Sequence, residues 1–280
     1  MITNKTIAFI GAGSMAEAMI SGILRSNKVP AAHIIACNKY NSERRTYLEN
    51  TYNIKTSPLE ELNYSEIDLF ILAMKPKDAA ESLSNLKDKV QPHQVVGSVL
   101  AGISTTFMEE HLPSNQPVIR IMPNTSSMVE ESATALTAGK HTKMDDVLEV
   151  KELLESMGKV FLIEEDQMDI FTGIAGSGPA YFYYLMEHME EAGTAEGMDS
   201  ELVRKIIAQT LLGAAKMIMN SEEGPGALRE NVTSPNGTTA AGLAALKNNG
   251  GGNAIAQAVN SASKRSKEIS DELKNVLVTS

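Results

Sequence analysis

The first part of the chain alternates short runs of apolar residues with longer stretches in which apolar residues recur at helical spacing. Most of the short runs end at Pro, Gly or Asn, as strands that lead into turns do. Strands that alternate with helices indicate a parallel sheet, and continuous apolar runs indicate strands covered on both faces. The predicted strands are Thr6–Ile10, Ile34–Cys37, Leu69–Ala73, Val95–Val99, Val118–Met122 and Val160–Ile163.

The second part of the chain, beginning after about Glu164, carries helical spacing alone. Apolar residues recur every three or four positions over 199–219, and Asp199 is placed to cap the start of that helix. The same spacing returns over 252–276. We therefore expect an α/β domain followed by an all-helical domain.

The stretch from Ala180 to Met186 is apolar on nearly every face. A helix of that kind must be buried all round, and a small helical domain has little interior to offer it. We therefore expect a homodimer in which a second subunit covers part of this helix. The predicted domains are residues 1–163, an α/β domain, and residues 164–280, a helical dimerisation domain.

Charge and cysteine content narrow the class of protein. The 280 residues carry a net charge of -10, which argues against a nucleic-acid partner. Cys37 is the only cysteine and no charged leader precedes the first strand, so we expect a cytoplasmic protein. The longest mainly apolar run, Ile67 to Met74, contains Asp68 and is too short to span a membrane.

The five histidines show neither metal-binding nor triad-like spacing, and no Cys/His cluster exists, so we expect no metal. His188 lies on a predicted buried helix, and we interpret it as a core or interface residue.

A glycine-rich segment follows the first predicted strand and opens an apolar helical stretch. Gly11 permits a tight turn, Gly13 lets the backbone approach a pyrophosphate, and Ala16 lets the helix pack closely on the strand. The helix start, with Ser14 and Met15, then directs free N–H groups at the phosphates. Between a strand and a helix, this pattern predicts a doubly wound, Rossmann-type dinucleotide-binding domain.

The end of the second predicted strand bears on the choice between NAD and NADP. NAD enzymes usually carry an acidic residue there, which accepts hydrogen bonds from ribose hydroxyls. Here the strand ends Cys37-Asn38-Lys39, and Arg44 and Arg45 follow on the next helix. Because Asn and Lys can bind a 2′-phosphate that an acid would repel, we expect NADPH, with NADH as the alternative. In the other interpretation Lys39 and the two arginines are ordinary solvated charges. We interpret Cys37 as a core residue.

Later strand ends should border the same crevice, because ligands of doubly wound sheets bind at the carboxyl ends of the strands. Two of these ends carry Pro76 and Pro123, and another carries Ala101-Gly102, which lets a flat ring approach the backbone. The cofactor contacts expected here are Ala73, Lys75, Pro76, Ala101 and Gly102. Routine strand termination would explain the same residues.

Two segments of the helical part, taken with Gly-x-Gly-x-Met-Ala and Met-Lys-Pro in the first part, resemble the pyrroline-5-carboxylate reductase family. They are Gly-Ile-Ala-Gly-Ser-Gly-Pro-Ala-Tyr at 173–181 and Leu-Arg-Glu-Asn-Val-Thr-Ser-Pro-Asn-Gly-Thr-Thr-Ala-Ala-Gly-Leu at 228–243. The resemblance runs from about residue 6 to about residue 268. It implies hydride transfer from NADPH to a cyclic imine, 1-pyrroline-5-carboxylate, giving L-proline as the last step of proline biosynthesis. It also implies that the helical domain, residues 164–280, binds the substrate and forms the dimer.

The resemblance implies roles for individual residues of the second segment. The Ser234 hydroxyl and the N–H groups of Thr238 and Thr239 hold the substrate carboxylate, with Gly237 in the turn before them. The Thr239 hydroxyl lies near the imine nitrogen and donates or relays a proton to it. Ser234 and Thr239 are therefore the expected catalytic residues. Asn231 is expected to contact the cofactor across the subunit interface. From the residues alone, the segment equally predicts an ordinary capped helix start.

The chain departs from the family pattern in two places. Asn236-Gly237 stands where Gly-Gly is common, and because Asn tolerates a left-handed backbone we expect the loop to keep its shape. Ser57-Pro58 replaces a segment with a cofactor-contacting Asn, which puts one contact at the adenosine end in doubt.

Two other functions remain open. The first is a related two-domain imine or β-hydroxyacid reductase. A hydroxyacid enzyme needs a catalytic Lys or His. Lys205 and Lys216 are the candidates, although neither lies in a recognisable motif. A non-catalytic NADP-binding relative is the other. Such a relative should have lost the Ser-Pro-x-Gly-x-Thr turn, which this chain keeps.

Overall fold

The computed structural model describes residues 2–278, without the side chains of residue 3 and of residues 273–278. Within that range eight strands form one sheet in the order β3-β2-β1-β4-β5-β6-β7-β8. The strands are β1 Ile7–Ile10, β2 Ile34–Cys37, β3 Lys55–Ser57, β4 Leu69–Leu72, β5 Val95–Ser98, β6 Val118–Met122, β7 Ser132–Ala138 and β8 Gly158–Leu162.

Helices connect the strands and then continue alone. They are α1 Ser14–Arg25, α2 Ser42–Tyr52, α3 Ala79–Lys87, α4 Thr105–His111, α5 Met144–Leu154, α6 Met168–Phe171, α7 Gly178–Ala195, α8 Ser200–Met219, α9 Pro225–Asn231, α10 Thr238–Asn248 and α11 Gly251–Val278. A π-helical turn, Thr172–Gly176, follows α6. Short 3₁₀ turns occur at Ile2–Asn4, Ala31–His33, Leu59–Glu61, Tyr64–Glu66, Pro76–Asp78, Thr125–Val129, Glu155–Met157 and Glu165–Gln167.

The prediction of a doubly wound, mainly parallel sheet is confirmed. All six predicted strands are present, and β1 pairs in parallel with β2 on one side and with β4 on the other. The order therefore reverses beside β1, so the carboxyl ends of β1 and β4 border a crevice at this switch point. Two strands were not predicted. These are β3 at the sheet edge and β7, which runs antiparallel to β6.

The continuous apolar runs are explained by burial on both faces of the sheet. In β1, Ile7 and Phe9 pack into one hydrophobic cluster, whereas Ala8 and Ile10 pack into a second one. Successive strand residues point to opposite faces, so a strand covered by helices on both sides needs apolar residues at every position.

The chain divides into two compact units. The first comprises the residues up to Ser177 together with those from Ser261 onward, and the second is Gly178–Asn260. The terminal part of α11 joins the first unit, where the buried Ser266 hydroxyl donates to the Asp169 carboxylate at 2.7 Å. The domain boundary between residues 163 and 164 stays a prediction.

Helix α8 begins as predicted, because the Asp199 carboxylate accepts a hydrogen bond from the Leu202 N–H at 2.9 Å. Its apolar face is less buried than the spacing suggests. Val203 and Ile207 are buried, whereas Leu202 and Ile206 are about half exposed. Burial of the helix is therefore incomplete within one chain.

Helix α7 leaves large apolar side chains exposed in a single chain. Phe182, Tyr183 and Tyr184 are each more than half exposed. His188 is exposed as well, with its Nδ1 2.9 Å from a carboxylate oxygen of Glu191. It is therefore not a core residue of the single chain, and its interpretation as an interface residue stays a prediction. Within residues 2–278 no helix is long and apolar enough to cross a membrane.

Candidate functional site

A cleft of about 550 Å³ opens at the carboxyl ends of β1, β2 and β4. Among its lining residues are eight of the predicted cofactor contacts, which are Gly11, Gly13, Ser14, Met15, Asn38, Lys39, Ala73 and Lys75. Of the other predicted contacts, Ala16 is buried in the core, and neither Pro76 nor Ala101-Gly102 lines this cleft. Lining residues that were not predicted include Tyr40, Leu59, Asp78, Glu81, Ser82 and Asn85.

The turn after β1 has room only for glycine at its first position. Gly11 has a φ of 105°, and its N–H donates to the Cys37 carbonyl at 3.0 Å. A Cβ at this position would lie 2.6 Å from the backbone of Ala73 and Met74. Close approach of the β1 and β4 ends thus shapes the floor of the cleft.

The start of α1 borders the same cleft. Gly13 precedes the helix and has no side chain with which to cap it, and Ser14 and Met15 follow as its first residues. The first N–H groups of a helix have no acceptor within the helix and carry a partial positive charge. This geometry fits the pyrophosphate of a dinucleotide.

The two arginines of α2 bind backbone carbonyls of the turns beside the cleft, so they are not ordinary solvated charges. Arg44 donates from Nε to the Ala12 carbonyl at 2.8 Å and pairs with the Glu17 carboxylate, while Arg45 donates to the Asn38 carbonyl at 2.6 Å. Burial works to raise the pKa of Glu17, but hydrogen bonds from Arg44 and two tyrosines outweigh it and lower that pKa. Neither arginine lines the cleft. Of the cationic side chains at or after the end of β2, Lys39 is the one that lines it.

Lys39 forms an ion pair across the cleft. Its Nζ donates to Oε1 of Glu81 on α3 at 2.8 Å, and this hydrogen bond raises the pKa of Lys39. Sequence reasoning missed Glu81, because no motif marks it. Asn38 shapes the turn after β2, where its side-chain oxygen accepts the N–H of Tyr40 at 3.2 Å and that of Asn41 at 3.0 Å.

Cys37 is confirmed as a core residue. Its side chain is buried, and burial raises the pKa of the thiol to about 12. The thiol is therefore protonated at neutral pH and does not act as a nucleophile.

In the second unit, residues 234–237 form the predicted turn and α10 begins directly after it. The Gly237 N–H donates to the Ser234 carbonyl at 3.1 Å, and Asn236 adopts the left-handed conformation with a φ of 62°. Asn236 thus adopts the left-handed backbone that its residue type tolerates, whereas retention of the family's loop shape stays a prediction. A Cβ on Gly237 would lie 2.4 Å from Oγ of Ser234, so a side chain at position 237 would displace that hydroxyl.

The first turn of α10 offers free donors. The Ala241 N–H makes an early helical bond, to the Gly237 carbonyl at 3.1 Å, which leaves the preceding N–H groups of Thr238 and Thr239 without an acceptor inside the helix. Gly237 has no side chain to cap them, and both threonines and Ser234 are exposed. A helix start with two free N–H groups, and with a hydroxyl in the turn before it, suits a carboxylate.

Two of the remaining candidates of the helical unit, Asn231 and Lys205, have partners within that unit, and Lys216 is exposed. Asn231, the last residue of α9, donates from its side chain to the Glu223 carboxylate at 2.8 Å. Lys205 is exposed and pairs with Glu201 at 2.6 Å. Within the described residues no group of three or more His, Cys, Asp or Glu side chains could hold a metal ion.

The strand order and the glycine turn at the switch point define a dinucleotide-binding protein of the Rossmann class. Comparison with known proteins refines this class. Residues 6–102 match a family described as NADP oxidoreductase, coenzyme F420-dependent, and residues 165–269 match one described as pyrroline-5-carboxylate reductase dimerisation. Pyrroline-5-carboxylate reductase 1 of Bacillus subtilis is 58% identical over 270 residues, which cover 96% of this chain and 91% of the relative.

Two solved structures similar to this chain are of the same family as the Bacillus subtilis relative. A pyrroline carboxylate reductase of Plasmodium falciparum with NADP bound is 28% identical with a TM-score of 0.86, covering 96% of this chain and 99% of that one. The 1-pyrroline-5-carboxylate reductase of Streptococcus pyogenes is 30% identical with a TM-score of 0.85, covering 94% and 98%. The chain belongs to the pyrroline-5-carboxylate reductase family. The match to a dimerisation family also indicates a homo-oligomer.

Proposed function

We propose that this chain reduces 1-pyrroline-5-carboxylate to L-proline with NADPH, as the last step of proline biosynthesis. The observation that carries this proposal is the turn at 234–237 and the start of α10 after it, which expose two N–H groups without a helical acceptor and, next to Gly237, the Ser234 hydroxyl. A substrate with a single carboxylate needs such an anchor. The 58% identity to the Bacillus subtilis reductase supports the choice of substrate. We place the reaction in the cytoplasm, because a single buried thiol suits a reducing compartment.

The cofactor is assigned to the residues around the switch-point cleft. Gly11, Gly13, Ser14 and Met15 would hold the pyrophosphate, and Ala16 would let α1 pack against β1. Asn38 and Lys39 would meet the adenosine ribose. Further cofactor contacts, from residues later in the chain, would come from Ala73, Lys75, Pro76, Ala101 and Gly102, and from Asn231 of a neighbouring subunit. When bound, the reduced nicotinamide supplies the hydride, which no side chain can.

The chain's own residues orient the substrate and manage one proton. The Ser234 hydroxyl and the N–H groups of Thr238 and Thr239 bind the carboxylate, and Gly237 keeps the hydroxyl close to them. The Thr239 hydroxyl donates or relays the proton of the ring nitrogen. Orientation of this kind is worth about 7–11 kcal/mol, so the reaction can dispense with a catalytic histidine.

A direct test follows NADPH oxidation with two cyclic imines. Pyrroline-5-carboxylate is expected to be turned over efficiently, and its six-membered homologue more slowly, because the anchored carboxylate fixes the position of the ring carbon. Turnover of a β-hydroxyacid but of neither imine would reject the proposal and favour the related hydroxyacid reductase.

Lys39→Asp is expected to shift cofactor preference towards NADH. The change puts a second carboxylate beside Glu81, where a 2′-phosphate would be repelled, so the ratio of kcat/KM for NADPH to that for NADH should fall about ten-fold or more. Lys77→Asp is the matched control, since Lys77 is exposed and does not line the cleft. An unchanged ratio in Lys39→Asp would make Lys39 a surface charge without a role.

We propose that α7 lies in the subunit interface and that the homo-oligomer is built from dimers through the helical domain, residues 164–280. Sedimentation of the full chain should therefore show a dimer or a multiple of one. Phe182→Glu should yield monomers, since a charge cannot be buried against apolar side chains at low cost. Leu148→Glu, a similarly exposed position on α5, should leave the assembly intact. A wild-type monomer would contradict this placement.

A further inference from the structure

The ion pair between Lys39 and Glu81 lies in the part of the cleft to which we assign the adenosine ribose. Lys39 comes directly after Asn38 at the end of β2, the place where NAD enzymes carry an acid. Glu81 lies in the first turn of α3 and lines the same cleft. The structure thus brings a carboxylate to this place from a different element, 42 residues away in the chain.

We propose that Glu81 is a specificity-determining residue for the cofactor, acting against Lys39. Its carboxylate accepts hydrogen bonds from the ribose hydroxyls of NADH, as an acid at the end of β2 does in NAD enzymes. Towards NADPH it acts in the opposite direction, because it competes with the 2′-phosphate for the Lys39 ammonium and repels that phosphate. The inference rests on the proposed function only in that the cleft takes a nicotinamide dinucleotide.

The ion pair between Lys39 and Glu81 can be broken at little cost in free energy. The Glu81 side chain is 65% exposed and that of Lys39 is 34% exposed, and exposed ion pairs contribute little stability. A phosphate with nearly two negative charges can therefore draw the ammonium away from the carboxylate. This exchange lets one cleft accept both cofactors, with Lys39 favouring the phosphorylated form and Glu81 the other.

Calorimetry on the full chain with two fragments of the cofactor tests the proposal without relying on turnover. Adenosine 2′,5′-bisphosphate carries the 2′-phosphate, whereas adenosine 5′-monophosphate leaves the ribose hydroxyls free. In Glu81→Gln the bisphosphate should bind more tightly and the monophosphate less tightly, which raises their affinity ratio about five-fold or more. In a Lys39→Ala background, the gain for the bisphosphate should shrink, because the two side chains act on the same phosphate.

Asp78→Asn is the matched control. Asp78 lines the same cleft, and the change removes the same charge, but the described residues show no contact between Asp78 and Lys39. A small change in its affinity ratio supports the proposal. An equal change of the affinity ratio in both variants would mean that only the net charge of the cleft matters. An unchanged ratio in Glu81→Gln would show that Glu81 does not contact the ribose. Either result overturns the inference.

Fragment binding and turnover together separate the cofactor assignment from the role of Glu81. If the wild-type chain binds neither fragment, the cofactor assignment and this inference both fall. If it binds both fragments and reduces pyrroline-5-carboxylate, but Glu81→Gln leaves the ratio unchanged, the inference alone is wrong.

Discussion

Thr239→Ala is expected to lower kcat for pyrroline-5-carboxylate about 100-fold, at the lower end of what a positioned proton donor contributes. The variant removes the hydroxyl that we assign to the ring nitrogen. It keeps the backbone N–H that we assign to the carboxylate, so KM should change much less than kcat. Binding of NADPH, measured by fluorescence titration, should be unaffected, because the cofactor is assigned to the cleft in the first unit.

Thr238→Ala is the control for this experiment. Thr238 is the neighbouring residue, equally exposed in the first turn of α10, and we assign a role to its N–H but none to its hydroxyl. Its kcat should stay within about three-fold of the wild type, within the range of ordinary surface substitutions. Thr239→Ser should restore much of the lost activity. Equal losses in both alanine variants, or full activity in Thr239→Ala, would remove the Thr239 hydroxyl from the mechanism.

Glu165→Ala is expected to lower the free energy of unfolding by about 3 kcal/mol, because it strands a buried charge. Arg120 on β6 is only 4% exposed, and its Nη1 donates to Oε1 of Glu165 at 2.5 Å. The other oxygen of Glu165 accepts the hydroxyl of Thr105 at 2.8 Å, at the start of α4. Two further nitrogens of the guanidinium, Nε and Nη2, have no hydrogen-bond partner among the described residues, so the ion pair is the main compensation for its burial.

Chemical denaturation at one fixed protein concentration measures this effect, since the stability of an oligomer depends on concentration. Glu155→Ala is the control. Glu155 also pairs with a cation, Lys151 of α5, but it lies just after that helix and both side chains are at least 30% exposed. Its loss should therefore cost about 0.5 kcal/mol or less. Combining Glu165→Ala with Arg120→Met should recover most of the loss, because no buried charge is then left unpaired. Equal effects of Glu165→Ala and Glu155→Ala would show that Arg120 does not depend on its partner.

The elements that sequence patterns predicted are those whose signal is local. The residues of β1 are apolar at every position because both faces are covered, and Gly11 follows because only glycine fits between the ends of β1 and β4. The turn at 234–237 is likewise a short-range feature, fixed by Asn236 in the left-handed region and by the contact between Gly237 and Ser234.

The features that were missed depend on residues far apart in the chain. Strand β7, Ser132–Ala138, consists of small and hydroxyl-bearing residues apart from Leu136, and gains its stability from pairing with β6 and β8. The pairing of Lys39 with Glu81 requires the fold to bring α3 to the end of β2. The role of Arg44 is similar, since its contact with the Ala12 carbonyl joins α2 to the glycine turn.

The assignment of the substrate site can be tested by one crystal structure, of the full chain with L-proline and the oxidised cofactor. We expect the proline carboxylate to accept hydrogen bonds from the Ser234 hydroxyl and from the N–H groups of Thr238 and Thr239. Proline bound elsewhere, with these donors facing only solvent, would contradict the account.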